Sequence, residues 1–128
     1  MTDADSQQAL FANEAFYLAF THKDCDAMDA LWARDAPLIC VHPGWQRLVD
    51  RDEIMASWRR ILDNPGQPGM DFLEPLVHAS AGIQFVTCYE QLPGGYCLAT
   101  NGFVREGDQW RMILHHSGAC ADPQIQGA

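Results

Sequence analysis

The chain has 128 residues, 48% apolar and 20% charged, which fits one soluble globular domain over residues 1–128, long enough to bury a core without disulfides or metals. Eight basic residues stand against seventeen acidic ones, a formal charge of −9. No basic run exists, so nucleic acid and anionic membrane surfaces lose the electrostatic attraction that binding to them needs.

The cysteines, Cys25, Cys40, Cys88, Cys97 and Cys120, are odd in number and include no Cys-x-x-Cys. Neither a disulfide framework nor a zinc ribbon is indicated. The N-terminus, Met1-Thr2-Asp3-Ala4-Asp5-Ser6, is acidic, and no signal-type apolar core follows. No apolar run reaches membrane-spanning length. The expectation is a reduced, cytoplasmic protein.

Residues 6–21 read as a helix with bulky apolar positions at Leu10, Phe11, Phe16, Tyr17, Leu18 and Phe20. That is too many for one narrow stripe, so the helix should lie across a large apolar surface such as a sheet. Asp24 is a candidate N-cap for a short second helix through Met28, Leu31 and Trp32, ended by Asp35-Ala36-Pro37. Leu38 to His42 reads as a short strand, and His42-Pro43-Gly44-Trp45 as a turn. Asp50 and Glu53 resemble a capping box for a third helix, with Ile54, Trp58, Ile61 and Leu62 on one face. The Pro- and Gly-rich segment 63–69 stops it.

From residue 70 the pattern turns to strands. Met70 to Ala79, bent near Pro75, is the first of four long ones; Ile83 to Leu92, Tyr96 to Arg105 and Gln109 to Ser117 follow, joined by tight turns. Helices followed by an antiparallel meander make an α+β layout. One sheet face packs under the helices. The other, with Ile83, Phe85, Tyr89, Leu98 and Ile113, is also apolar and is expected to be covered by a second copy of the chain.

Pairing Leu92 with Gly95 and Glu106 with Gln109 sets a register. It puts Val86, Cys88, Glu90, Cys97, Ala99 and Asn101 on one face, together with Phe103, Trp110, Met112, Leu114 and His116. Neighbouring strand residues point oppositely, so His115 and His116 cannot share a site, and a one-residue slip would exchange them. The inner face is apolar apart from Glu90, Asn101 and His116, the composition of a small-molecule pocket. A carboxylate beside an imidazole suits acid–base work, with His116 as the acid–base and Glu90 its partner. The plain alternative is that these groups only satisfy each other's hydrogen bonds inside the core.

Around them, Asn101 is placed as a hydrogen-bond donor to a ligand. His42 and Trp45 are candidates for a pocket mouth, with a turn-stabilising role as the alternative for His42. Trp58, Phe103 and Cys88 are candidates for its wall or for plain core, and Tyr17 either aims its hydroxyl in from the first helix or is a satisfied core tyrosine. Arg51 sits where the helix dipole disfavours a cation, so a carboxylate or ligand should hold it unless it is simply exposed. The five histidines have no His-x-His or His-x-x-x-His spacing, so no metal is expected. No nucleophile elbow, phosphate loop or dinucleotide fingerprint occurs, and no cofactor is expected.

The segments His42-Pro43-Gly44-Trp45, Arg51, Ser57-Trp58, Ile61-Leu62, Thr100-Asn101-Gly102-Phe103, Trp110-Arg111-Met112 and His115-His116-Ser117-Gly118 together resemble the SnoaL-like branch of the nuclear transport factor two superfamily. The closing strand also resembles that of the association domain of calmodulin-dependent protein kinase. The resemblance implies a cone: a strongly curved antiparallel sheet wrapped around helices, with a pocket at the open end and dimers through the convex face. It does not fix an activity. Ketosteroid isomerase, a superfamily member, uses an Asp base with a Tyr and a protonated Asp; Tyr17 matches the tyrosine's place, but no aspartate falls on the assigned inner face. The leading expectation is a homodimeric protein binding a small apolar molecule. Beside it stand a dehydratase, cyclase or isomerase using His116, and an assembly domain with a vestigial pocket.

Overall fold

The computed structural model describes residues 3–125. Three helices, α1 (Asp3–Thr21), α2 (Cys25–Leu31) and α3 (Arg51–Asp63), alternate at first with a short strand, β1 (Ile39–Val41). Four long strands follow: β2 (Asp71–Ser80), β3 (Ile83–Leu92), β4 (Gly95–Glu106) and β5 (Gln109–Cys120). They form one curved sheet in the order β1-β5-β4-β3-β2 around the helices, the α+β layout that the residue pattern implies and the cone that the resemblance implies. β1 pairs with β5 in parallel at the edge, and the other pairings are antiparallel.

The caps are where the sequence puts them. Asp24 accepts a hydrogen bond from the Ala27 backbone N–H at 3.0 Å. Asp50 accepts from that of Glu53 at 3.1 Å. Each satisfies a donor that the helix leaves open at its N-terminus. Ala9, Ala12, Phe16 and Phe20 of α1 are buried, while Phe11 and Leu18 remain exposed. The surplus of apolar residues on this helix is thus divided between core and surface. Trp32, Met28, Phe103 and Met112 are fully buried. Burying each of these large apolar side chains contributes about 1.5–3 kcal/mol.

Arg51 is held, and by protein groups. Its guanidinium donates to Asp29 Oδ1 at 2.9 Å, to the Asp29 carbonyl at 2.7 Å, to the Trp32 carbonyl at 3.2 Å and to the Ala33 carbonyl at 3.1 Å. The last carbonyls of α2 have no helical partner of their own, so one arginine closes α2 and fastens α3 to it. The same guanidinium, by hydrogen bonding, holds the Asp29 carboxyl below its usual range.

β3 and β4 pair as the turn implies: Glu90 lies opposite Cys97, Cys88 opposite Ala99 and Val86 opposite Asn101. β2 shifts register between Leu73 and Leu76, at the Pro75 bend, where Glu74 has φ 54°. β4 and β5 also start as expected, with Glu106 opposite Gln109 and Phe103 opposite Met112. The next pair is Gly102 with Leu114, then Asn101 with His115. Ile113 is an extra residue, a β-bulge, and beyond it every side chain of β5 changes face.

The expectation that His116 faces inward is therefore corrected. His116 is exposed, and His115 and Ser117 are buried. Leu114 likewise leaves the fully buried inner set.

Candidate functional site

Inside the cone, α1 lies against the concave face of the strands. Asn13 and Tyr17 are four residues apart, so they share one side of the helix. Opposite them stand Cys88 and Glu90 of β3, Asn101 of β4, and His115 and Ser117 of β5, all buried.

The proton positions of this group follow from its distances. The Tyr17 hydroxyl donates to Glu90 Oε2 at 2.7 Å. Having spent its hydrogen, it accepts from Asn101 Nδ2 at 3.2 Å. The same Nδ2 donates to Asn13 Oδ1 at 2.8 Å. The Asn101 amide is thus oriented with Oδ1 toward His115, whose Nδ1 lies 2.7 Å away. An amide oxygen only accepts, so Nδ1 carries the proton and donates it. The other carboxylate oxygen, Glu90 Oε1, accepts from Ser117 Oγ. Cys88 Sγ completes the group, 3.2 Å from the Tyr17 oxygen.

A second histidine has the opposite tautomer. Ser57 Oγ donates to the Ile54 carbonyl at 2.6 Å, so it must accept from His42 Nε2 at 2.8 Å. Both imidazoles then keep one unprotonated nitrogen, Nε2 of His115 and Nδ1 of His42. Neither has a hydrogen-bond partner among the described residues. Trp58 packs against both rings, with centroids 4.5 Å from His42 and 5.6 Å from His115. The two imidazoles are 6.3 Å apart.

Both line a cavity of about 270 Å³. Phe20, Trp45 and Trp58 give it aromatic walls, and Ile61, Met70 and Leu92 complete its apolar surface. Glu90 reaches it from β3 and Gln67 from the loop after α3.

Burial controls the charges. It lowers His42 to about 4 and His115 to about 3, the latter with smaller contributions from the neighbouring His42 and His116. Both are neutral at pH 7. Burial raises Glu90, against the opposing effect of the Ser117 and Tyr17 hydrogen bonds. It also raises the Cys88 and Cys40 thiols, to about 11 and about 12, which removes them as nucleophiles at neutral pH.

The structure thus gathers Tyr17, Cys88, Glu90 and Asn101 into one hydrogen-bonded group, and His42, Trp45 and Trp58 into one aromatic cluster. Phe103 is buried in the core, and neither it nor Tyr17, Cys88 or Asn101 lines the cavity; the Asn101 amide donates to Asn13 and Tyr17 and not into the cavity. His116 is in neither group. Sequence reasoning missed His115, Asn13, Ser117 and Ser57. The i, i+4 spacing of Asn13 and Tyr17 was the available signal for Asn13. Among the described residues, no three His, Cys, Asp or Glu side chains group as a metal site, and no helix is long and apolar enough to cross a membrane.

The profile of a family described as a SnoaL-like domain matches residues 10–122. Among solved structures, a proposed dehydratase of the nuclear transport factor two-like family from Streptomyces avermitilis is 31% identical, with a TM-score of 0.85 over 92% of this chain and 97% of its own. A proposed calcium/calmodulin-dependent protein kinase type II association domain from Thiobacillus denitrificans is 32% identical, with a TM-score of 0.70 over 85% of this chain and 92% of its own. A Nostoc punctiforme protein with a cystatin-like fold is 14% identical, with a TM-score of 0.76 over 98% of this chain and 97% of its own, and shares the fold alone. No curated protein matches the sequence.

Proposed function

This chain belongs to the SnoaL-like domain family, and from that premise we propose that its cavity binds a small, mainly apolar carbonyl compound and dehydrates it without a cofactor. The observation that carries the reading is the 2.7 Å contact between His115 Nδ1 and Asn101 Oδ1, which leaves Nε2 as a lone pair at a cavity wall. Neutral imidazole is a general base, and with its charged form held down to about 3 by burial it is a weak one until a bound molecule's developing negative charge stabilises the imidazolium.

In this reading His115 Nε2 takes a proton from the carbon next to the substrate carbonyl. The electrons of that C–H bond form the new double bond, the bond from the next carbon to its hydroxyl breaks, and the imidazolium returns the proton to the departing oxygen as water. Glu90 is joined to His115 through the chain Glu90–Tyr17–Asn101–His115, which is hydrogen-bonded at every step and holds the imidazole in place. The likeness to the Streptomyces avermitilis protein supports this reaction class. The role first given to His116 passes to His115.

The convex sheet face supports a homodimer. Leu76 and Leu98, 59% and 42% exposed, stand there with Tyr89 and Thr87, an apolar patch of the kind that a second copy buries. The five free thiols suit a reducing, cytoplasmic compartment.

The test is a panel of compact β-hydroxy ketones, with enone formation followed by ultraviolet absorbance. Turnover by the intact protein, lost at least about 100-fold in His115→Gln with the melting temperature kept, is the expected result. Conversion at the same rate in both proteins would remove His115 from the chemistry.

A further inference from the structure

We propose that the cavity selects uncharged molecules bearing a phenol- or alcohol-type hydroxyl, because the ionisable groups on its wall present lone pairs and leave the ligand to bring the hydrogen. This rests on the small-molecule reading above and names the chemistry of the molecule.

The proton inventory of the ionisable groups runs one way. His115 gives its only N–H to Asn101, and His42 gives its only N–H to Ser57. Each therefore offers the cavity an acceptor. Glu90 accepts from Tyr17 and Ser117, and a carboxylate has no hydrogen to give. A ketone or ether oxygen set against these nitrogens would bring lone pair against lone pair. A hydroxyl gives its hydrogen to an imidazole and can still accept from the Gln67 amide or the Trp45 indole, which also line the cavity.

Charge narrows the class further. Among the described residues no lysine or arginine lines the cavity, Arg60 standing over the Trp45 ring at 5.7 Å without lining it, and the chain carries a net charge of −9, so a carboxylate or phosphate finds no counter-ion on the cavity wall. Each oxygen of Glu90 already accepts one hydrogen bond within the protein, from Tyr17 and from Ser117, and an ammonium would have to share them. Aromatic walls suit a flat ring. The volume of about 270 Å³ is below the usual range for drug-sized ligands, so the molecule is compact. A site built to accept from a hydroxyl discriminates against an analogue without one, since its own groups are then left unpaired.

The experiment titrates the intact protein at pH 7 with four matched probes, para-ethylphenol, para-ethylanisole, para-ethylbenzoate and para-ethylbenzylamine, by ligand-observed NMR. The phenol is expected to bind about tenfold more tightly than the anisole, the worth of roughly one hydrogen bond. The benzoate should not bind. The phenol preference should shrink in His115→Phe and in His42→Phe, each checked for native circular dichroism. Equal or tighter binding of the anisole, or preference for the ammonium, overturns the donor rule while the cavity remains a binding site. If none of the probes binds, the small-molecule reading itself fails and takes this one with it.

Discussion

His115 Nδ1 and Asn101 Oδ1 are 2.7 Å apart, on directly paired residues of β5 and β4. The contact fixes the imidazole tautomer, and the amide is fixed in turn by Tyr17 and Asn13. Asn101→Asp keeps the shape and puts an acidic oxygen against the ring. An adjacent carboxylate favours imidazolium, so the His115 pKa should rise from about 3 toward the ordinary histidine range. Imidazole nitrogen shifts followed against pH would show it; an unchanged titration would mean that the amide does not set the tautomer.

The neighbouring histidines should behave as different residues. His116→Ala changes an exposed side chain; its effect on stability should stay within about 0.5 kcal/mol, with ligand binding unaltered. His115→Ala opens a buried site and leaves the Asn101 oxygen unpaired, at a cost of about 1–3 kcal/mol. Urea midpoints for the two variants, measured beside the wild type, decide the matter. A reversed order would mean that the face assignment is inverted.

The bulge explains how much of this was legible. Caps, helix faces and the β3–β4 register could be read because they depend on local periodicity and tight turns. Glu90, Asn101 and Tyr17 could be placed on the inner side for the same reason. His115 could not, because strict alternation along β5 fails at Ile113, and one extra residue reverses everything after it. A trace of this was present: a glycine inside a strand often marks a bulge or a close backbone approach, and Gly102 sits opposite the irregularity. The parallel pairing of β1 with β5, and the seating of His42 on Ser57, join segments far apart in sequence and left no local pattern to read.

Gly102 is therefore a position to test. A Cβ there would sit 3.2 Å from Leu114 Cβ and 3.4 Å from the Phe85 ring. That is tighter than ordinary contact, and both neighbours belong to the sheet. Gly102→Ala should destabilise the protein by about 1–3 kcal/mol, as overpacking usually does. The double variant Gly102→Ala with Phe85→Leu should recover part of the loss if ring crowding contributes. A neutral Gly102→Ala in thermal unfolding would show that the strand yields freely at the bulge.

Acid should weaken the fold through the two buried imidazoles. Their folded pKa values, about 4 for His42 and about 3 for His115, lie below the unfolded value near 6.5. The unfolded chain thus binds protons first as pH falls. The stability that these groups contribute is complete above the unfolded value and is lost as pH drops through 6.5 toward the folded values. Each contributes a slope of up to about 1.4 kcal/mol per pH unit in that window. Glu90 has the opposite sign: its raised pKa gives stability present in acid and lost as pH rises through its folded value. It therefore flattens the curve at the acidic end. Urea unfolding at pH 7, 6 and 5 should show the fall, and His115→Gln should reduce its slope. A slope unchanged in that variant would mean that the imidazole is not desolvated in the native state.

The last prediction concerns the convex face. Leu98 on β4 and Leu76 on β2 flank β3, and neither contributes to the buried core or the cavity lining. If a second copy covers them, a charge there must be desolvated at the interface, which costs far more than it would on a free surface. Leu98→Glu should then convert the protein to a monomer by sedimentation velocity, while α1, the cavity and its ligand binding remain. On a free surface the same substitution should change stability by no more than about 0.5 kcal/mol and leave the sedimentation coefficient as it was. A wild-type protein that sediments as a monomer at micromolar concentration would exclude the dimer directly, and the leucines would then be ordinary exposed apolar residues of a single cone.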